Sequence, residues 1–153
     1  MYKHILLPTD GSELSKDAVK ACMQLARNTG ATVVGVHVIP LVREDLLEAW
    51  MHHDSHYAER QKAVYEKLAD DYLSFISNDA MAEGVPCVCK VVHEKEPSEG
   101  IVKTAVQMRC DLIYMASHGW SGDGEKLLGS ETLKVLQASK VPVLVHKERQ
   151  RRE

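Results

Sequence analysis

Short apolar runs alternate with longer amphipathic segments along almost the whole chain, and this alternation is the feature that most limits its fold. The runs are rich in Val, Ile and Leu, as expected for strands that are covered on both faces. We predict strands at 4–9, 32–39, 85–93, 111–116 and 141–145, and helices at 13–28, 57–83, 97–108 and 130–139. This strict alternation predicts an α/β fold with a doubly wound parallel sheet and helices on both faces.

The composition is that of an ordinary globular protein. The chain has 153 residues, of which 44% are hydrophobic and 27% are charged, and its net charge is −3. We therefore expect one domain over 1–147, a charged tail at 148–153, and no nucleic-acid partner. No apolar run reaches the ~18 residues of a membrane span, and no signal-peptide pattern precedes the first strand. These features predict no membrane contact and a cytoplasmic location.

The segment 41–56 is the least regular part of the pattern. We predict a loop with a partly helical, partly exposed apolar face, which ends in His52, His53 and His56. His52 and His56 would share one helix face at i, i+4, a spacing that can hold a metal ion. We favour the interpretation that these histidines lie at a solvent-exposed helix start over the interpretation that they form a metal site.

The four cysteines are Cys22, Cys87, Cys89 and Cys110, and they match neither a zinc spacing nor a disulfide framework. Cys87 and Cys89 would point to one face of their strand, where a role as small core residues is favoured over a metal pair. The predicted site therefore includes no metal ligand.

Two predicted helices carry apolar residues at core-facing spacing. The stripe on 57–83 consists of Val64, Leu68, Tyr72, Phe75 and Ile76, and that on 130–139 of Leu133 and Leu136. Within the strand 85–93, Lys90 indicates a position near a sheet edge or a strand end.

Three distinctive segments fall at the carboxyl ends of predicted strands, where doubly wound sheets bind their ligands. They are Pro8-Thr9-Asp10, Val38-Ile39-Pro40 and the run from Met115 to Gly119. Further along the chain, Gly129 and Ser130 open a helix. Unpaired amides and the helix dipole at such a start favour an anion such as a phosphate.

Common catalytic and phosphate-binding motifs are absent from the sequence. It contains no P-loop, no Gly-x-Gly-x-x-Gly after the first strand and no Gly-x-Ser-x-Gly elbow. For Ser130, a helix cap or a phosphate contact is favoured over a nucleophile, because no base is positioned beside it. Asp10 either binds a ligand hydroxyl or amine, or serves as an Asx-type turn residue.

The opening Ile5-Leu6-Leu7-Pro8-Thr9-Asp10-Gly11-Ser12 resembles that of the universal stress protein family. The block from Asp111 to Gly119, the run Leu128-Gly129-Ser130 and the final Val141 to Val145 resemble the same family. Its ATP-binding members carry Gly-x2-Gly-x9-Gly-Ser/Thr. Here Gly119, Gly129 and Ser130 match the second glycine, the third glycine and the hydroxyl, while Ala116 replaces the first glycine.

This resemblance implies a five-stranded parallel sheet of order 3-2-1-4-5. It implies that the adenine and ribose lie against Pro8, Thr9, Asp10 and Val38. Met115 and Ala116 would lie under the nucleoside, and the phosphates would be held by Gly119, Gly129 and Ser130. The implied cofactor is ATP, or ADP or AMP, with or without Mg²⁺. The implied partner is a second copy, joined through the last strand from Val141 to His146.

Two departures from the family pattern bear on nucleotide binding. Ala116 adds one methyl group, which is compatible with binding if its φ is negative. The loop 120–128 carries Asp123 and Glu125 against Lys126, and Glu131 adds a carboxylate at the helix start. Like charge beside a triphosphate weakens binding.

The resulting hypothesis is a cytoplasmic, adenine-nucleotide-binding stress-response regulator with at most slow ATP hydrolysis. The alternative is a member that binds no nucleotide and acts as a protein-interaction module, with its partner unknown. Its working surface would be 41–56, with Trp50 as an anchor. A hydrolase or transferase of the same fold class lacks an identified nucleophile and base.

Overall fold

The computed structural model describes residues 1–41, 43–118 and 128–148. Within these ranges the chain forms five strands and five helices. In chain order they are β1 (His4–Pro8), α1 (Glu13–Thr29), β2 (Thr32–Pro40), α2 (Glu44–His53), α3 (Tyr57–Glu83), β3 (Cys87–Glu94), α4 (Pro97–Gln107), β4 (Leu112–Ala116), α5 (Ser130–Ala138) and β5 (Val143–His146).

All five strands are parallel and join in the order β3-β2-β1-β4-β5. Pro8 of β1 pairs with Val36 of β2, and on the other side Leu6 pairs with Ile113 of β4. The predicted fold class and strand order are confirmed. The strand order reverses between β1 and β4, which makes the crevice at their carboxyl ends the expected ligand position.

Two apolar clusters cover the two faces of the sheet. On one face, α1 and α3 pack through residues such as Val19 and Ile76. On the other face, α4 and α5 pack through residues such as Ile101 and Val135. Helices therefore lie on both faces, as the alternation predicts. Within the described ranges, we find no helix long and apolar enough to cross a membrane.

Local sequence signals set the helix ends. The Ser12 hydroxyl accepts a hydrogen bond of 3.2 Å from the Ser15 amide and caps α1. Gly30 and Gly84 end α1 and α3 in the left-handed region, with φ of 71° and 68°. Pro97 occupies the first turn of α4, where its missing N–H costs nothing.

The Asp111 carboxylate, just before β4, ties that strand to the start of β1. It accepts hydrogen bonds from the amides of Lys3 and His4, the shortest at 2.9 Å. Desolvation raises the pKa of Asp111, but these amide hydrogen bonds outweigh it and hold the pKa below its ordinary value.

The segment after β2 is more regular than predicted. A ten-residue helix, α2, replaces most of the expected loop. The proposed i, i+4 relation of His52 and His56 is wrong, because α2 ends at His53 and α3 begins at Tyr57. Within the described ranges, no group of three His, Cys, Asp or Glu residues could hold a metal ion.

The predicted apolar stripe of α3 is partly wrong, and that of α5 is wrong. The residues that α3 buries are Ala69, Leu73, Ile76 and Ala80, whereas Val64 and Leu68 are exposed. All four buried positions lie between residues 69 and 80, in the part of this long helix that packs on the sheet. On α5 the buried residues are Thr132 and Val135, while Leu133 and Leu136 face outward.

The cysteines divide into two environments. Cys22 and Cys110 are buried, and burial raises the pKa of Cys22 to about 12 and of Cys110 to about 11. Cys87 and Cys89 are half-buried and pack against the cluster under α1 and α3. They lie on β3, an edge strand, as Lys90 indicated.

Candidate functional site

The crevice lies where β1 and β4 end side by side. Their register, counted forward from Leu6 opposite Ile113, brings Pro8 level with Met115. The turn from Thr9 to Gly11 therefore lies beside the residues that follow β4. Neighbouring strands are ~4.8 Å apart, so one small ligand can contact both ends.

Asp10 uses its two carboxylate oxygens differently. Oδ1 accepts a hydrogen bond of 2.9 Å from the Ser12 amide and closes an Asx-type turn. Oδ2 is buried and has no hydrogen-bond partner among the described residues. A buried carboxylate oxygen without a donor is costly, so the turn presents an acceptor suited to a ligand hydroxyl or amine. The Asx-type turn is therefore confirmed, and the binding of a ligand group by Oδ2 stays a prediction.

Thr9 holds this turn against the sheet. Its amide donates to the Val36 carbonyl at 2.9 Å, and its hydroxyl lies 2.8 Å from that of Ser15. His37 Nδ1 lies 2.8 Å from the Thr9 carbonyl oxygen and must carry the proton, because a carbonyl can only accept. Sequence reasoning missed His37, although a polar residue within a valine-rich strand was a visible signal.

Gly11 completes the turn, and no other residue fits there without strain. Its φ is 78°, and an added Cβ would overlap the ring of Tyr72. The Tyr72 ring also meets the His37 ring edge-to-face, with centroids 5.2 Å apart. The Tyr72 ring of α3 therefore lies against Gly11, which is part of the turn, and against His37, which bonds to the Thr9 carbonyl.

The first turn of α5 forms the opposite wall. Gly129, at its N-cap, has no side chain to cap the following amides. Its own amide donates to the Ser117 carbonyl at 2.6 Å and is already engaged. A Cβ at Gly129 would lie 3.1 Å from His118 Cα. Gly129 therefore allows the close approach of two backbones, while Ser130 follows it as an exposed residue.

Glu131 faces away from the crevice and towards α4. Its Oε2 accepts a hydrogen bond of 2.8 Å from the Ser98 amide at the start of α4. Its Oε1 lies 3.3 Å from Lys134 Nζ, and hydrogen bonding to Glu131 raises the Lys134 pKa. The expectation that Glu131 adds an unpaired negative charge beside the phosphates is therefore corrected.

The remaining predicted residues line the strand ends. Val38 and Met115 are fully buried in the cluster under α4 and α5, and Val38 packs against Gly100. Ala116 is also buried, and its carbonyl accepts a 3.0 Å hydrogen bond from the Thr132 hydroxyl.

Among the described residues, Arg109 is the one non-glycine with positive φ, so Ala116 needs no glycine for its backbone. Pro8 is buried at the end of β1. Gly119 and the acidic part of the loop, 120–127, lie outside the described residues, as does 149–153 of the tail.

Sequence comparison relates the whole chain to one family. A model of the universal stress protein family matches residues 1–147. The universal stress protein MJ0531 of Methanocaldococcus jannaschii is 31% identical, over 96% of this chain and 83% of its own length. A universal stress protein of Thermus aquaticus is also 31% identical, over 95% of this chain and 98% of its own.

Solved structures agree with the observed topology. The structure of MJ0577, a universal stress protein of M. jannaschii, has a TM-score of 0.79 at 31% identity and covers 98% of this chain and 99% of its own. A universal stress protein in complex with cAMP has a TM-score of 0.65 at 22% identity, covering 94% and 95%. One from Archaeoglobus fulgidus in complex with dAMP has a TM-score of 0.64 at 20% identity, covering 94% and 97%.

Proposed function

This chain belongs to the universal stress protein family, and on that premise we propose that it binds an adenine nucleotide in the crevice between β1 and β4. The observation that carries the proposal is the buried Asp10 Oδ2, which has no donor among the described residues. A ribose hydroxyl or the adenine amino group would supply that donor. The turn is held by Thr9, His37 and Tyr72 before any ligand arrives, which lowers the cost of ordering it on binding.

The other contacts proposed are those that the family resemblance implies. The nucleoside lies against Pro8, Thr9, Asp10 and Val38 and over Met115 and Ala116. The phosphates lie at Gly119, Gly129 and Ser130. Because Gly129 has no side chain, the first amides of α5 and its helix dipole are open to an anion. The Gly129 amide is engaged with Ser117, so the phosphate donors are the amides that follow it.

The nucleotide is ATP, ADP or AMP. Two solved relatives are complexes with cAMP and dAMP, which supports recognition of an adenine nucleotide. Within the described ranges no cluster of acidic residues, His and Cys could hold a metal. Where Mg²⁺ accompanies the nucleotide, phosphate oxygens and water would be among its ligands, as is usual for this ion.

The chain acts in this proposal as a cytoplasmic stress-response regulator with at most slow ATP hydrolysis. It pairs with a second copy through the last strand, from Val141 to His146. In support, β5 lies at an edge of the sheet and Leu144 is partly exposed there. An apolar edge strand readily pairs with another chain.

Asp10→Asn tests the site, because it keeps the turn-closing oxygen and replaces the unpaired acceptor with a donor. Nucleotide released from the purified protein is identified by mass spectrometry, and ATP, ADP and AMP are titrated by calorimetry. We expect affinity to fall about tenfold or more, since a hydrogen bond to a charged group contributes ~1.5–3 kcal/mol. Asp17→Asn, at an exposed position of α1, is the matched control. Equal affinity of Asp10→Asn and wild type would refute the assignment.

The second candidate, an interaction module without nucleotide, rests on α2. The structure describes every residue of α2, and none of them is buried. The Trp50 side chain is exposed. This candidate becomes the better one if the wild-type protein binds none of the three nucleotides at millimolar concentration.

A further inference from the structure

A cavity of about 560 Å³ opens at the far side of β2 from the nucleotide crevice. Its floor is the carboxyl end of the β2–β3 pair, where Ile39 pairs with His93. Helices α2 and α3 form its walls. The volume lies within the ~300–1,000 Å³ of small-molecule sites.

Aromatic side chains dominate the walls. Trp50 of α2 and Tyr57 of α3 meet edge-to-face, with ring centroids 5.2 Å apart. Tyr65 lies two turns further along α3, and Leu47 adds an aliphatic contact from α2. Rings arranged in this way favour a planar apolar ligand, because offset and edge-to-face contacts add to the burial of area.

The packing of α2 is incomplete in the observed structure. Leu46, Trp50 and Met51 are 42%, 38% and 45% exposed, and no residue of this fully described helix is buried. The helix is held mainly at its end, by the Trp50–Tyr57 contact and an ion pair of Arg60 with Asp54. Of Leu46, Trp50 and Met51, only Trp50 lines the cavity, so a ligand there would bury exposed surface of Trp50.

Apart from the tyrosine hydroxyls and the Trp50 indole N–H, the polar groups of the cavity are one cation, one carboxylate and two side chains that can each donate or accept. Gln61, Lys62 and His93 line it, against the single carboxylate of Glu66. Lys62 Nζ is 3.9 Å from Glu66 Oε1, beyond hydrogen-bond distance, and its side chain is largely exposed. Its ammonium group is therefore able to turn towards an anion at the mouth of the cavity.

From these contacts we infer that the cavity binds a small aromatic carboxylic acid, with its ring between Trp50 and Tyr65 and its carboxylate near Lys62. No residue that lines the cavity belongs to the proposed nucleotide site, although Ile39 follows Val38 directly in β2. The proposed aromatic-acid site does not depend on nucleotide binding, so an experiment can refute either of the two proposals and leave the other standing.

The first test is a titration of the ¹⁵N-labelled protein with 2-naphthoate, followed by NMR at the Trp50 indole N–H. Trp120→Phe removes the other indole and assigns the signal. We expect saturable shifts at Trp50 that persist when the protein is saturated with ATP. A Trp50 signal that does not respond to millimolar 2-naphthoate would overturn the proposal.

Matched variants on α3 locate the binding. Ala58 lines the cavity and Ala63 is exposed on the same helix outside it. We expect Ala58→Phe, which fills the space, to weaken 2-naphthoate by about tenfold or more, and Ala63→Phe to change it by less than about twofold. Equal effects of the two substitutions would refute the assignment. Circular dichroism verifies that both variants are folded.

Charge recognition is tested by Lys62→Met, which keeps the apolar stem, with Lys67→Met on the same helix as its control. We expect Lys62→Met to weaken 2-naphthoate about threefold or more and to leave neutral 2-naphthalenemethanol unchanged. If the alcohol binds wild type as tightly as the acid does, the acid assignment is wrong. This variant also tests the proposal if Ala58→Phe does not fold.

Discussion

Gly11→Ala should be unusually destabilising, because two separate effects act at this turn. The backbone lies in the left-handed region, with φ of 78°, and a Cβ would overlap the Tyr72 ring. Gly30 isolates the first effect. Its φ is 71°, and an added Cβ meets nothing within 4 Å.

The magnitudes can be worked out from these two positions. A left-handed alanine costs ~1–2 kcal/mol, and about 0.4–1 kcal/mol of this is offset because alanine restricts the unfolded chain. Gly30→Ala should therefore lower the free energy of unfolding by about 1 kcal/mol. At Gly11 the Tyr72 ring must also move, and overpacking adds ~1–3 kcal/mol. We expect a total loss of about 3 kcal/mol for Gly11→Ala.

Urea unfolding followed by circular dichroism measures the loss of stability in both variants. A double-mutant cycle of Gly11→Ala with Tyr72→Ala separates the overlap with the ring from the cost of the left-handed backbone. Without the ring, the cost of Gly11→Ala should fall to that of Gly30→Ala, a coupling of about 2 kcal/mol. The reasoning is refuted if Gly11→Ala and Gly30→Ala are equally destabilising, or if Tyr72→Ala leaves the cost of Gly11→Ala unchanged.

Three further predictions concern the site, the fold and assembly. Gly129→Val should weaken ATP about tenfold or more in calorimetry, since its Cβ would crowd His118; equal affinity would count against the site. At pH values above its ordinary pKa, the ionised Asp111 carboxylate stabilises the fold. This stabilisation is lost as the pH falls through the lowered pKa that Asp111 has in the folded protein. Asp111→Asn should therefore flatten the loss of stability below about pH 4, and an acid profile parallel to that of wild type would contradict this. Leu144→Pro should give monomers or insoluble protein in light scattering, because it removes the amide by which the middle of β5 pairs with β4 and so weakens the edge strand, and a soluble dimer would oppose this.

Periodicity predicted the bounds of α3 better than it predicted which of its residues are buried. The α3 bounds, 57–83, were predicted as observed, and the sheet order agrees with the family resemblance. Periodicity failed where burial changes along an element. Val64 and Leu68 have helical spacing like that of Ile76, but their half of α3 lines the aromatic cavity region rather than the sheet. Such a change depends on the position of α2, which is a tertiary property.

The candidate site shows the same limit for charges. Glu131 follows Ser130 in the sequence, and this proximity is the only basis for the prediction that its carboxylate lies beside the phosphates. Its carboxylate instead accepts from the Ser98 amide, because α4 begins with Pro97 and has no side-chain cap of its own. Glu131 of α5 thus supplies the cap that α4 lacks. The first amides of α5 receive no side-chain cap from Gly129. An anion at α5 therefore does not meet an unpaired Glu131 carboxylate, and the other two carboxylates considered, Asp123 and Glu125, lie in the loop 120–127 of the sequence. Of the two departures from the family pattern, that loop rather than Ala116 is expected to govern affinity, and its effect should weaken as salt rises.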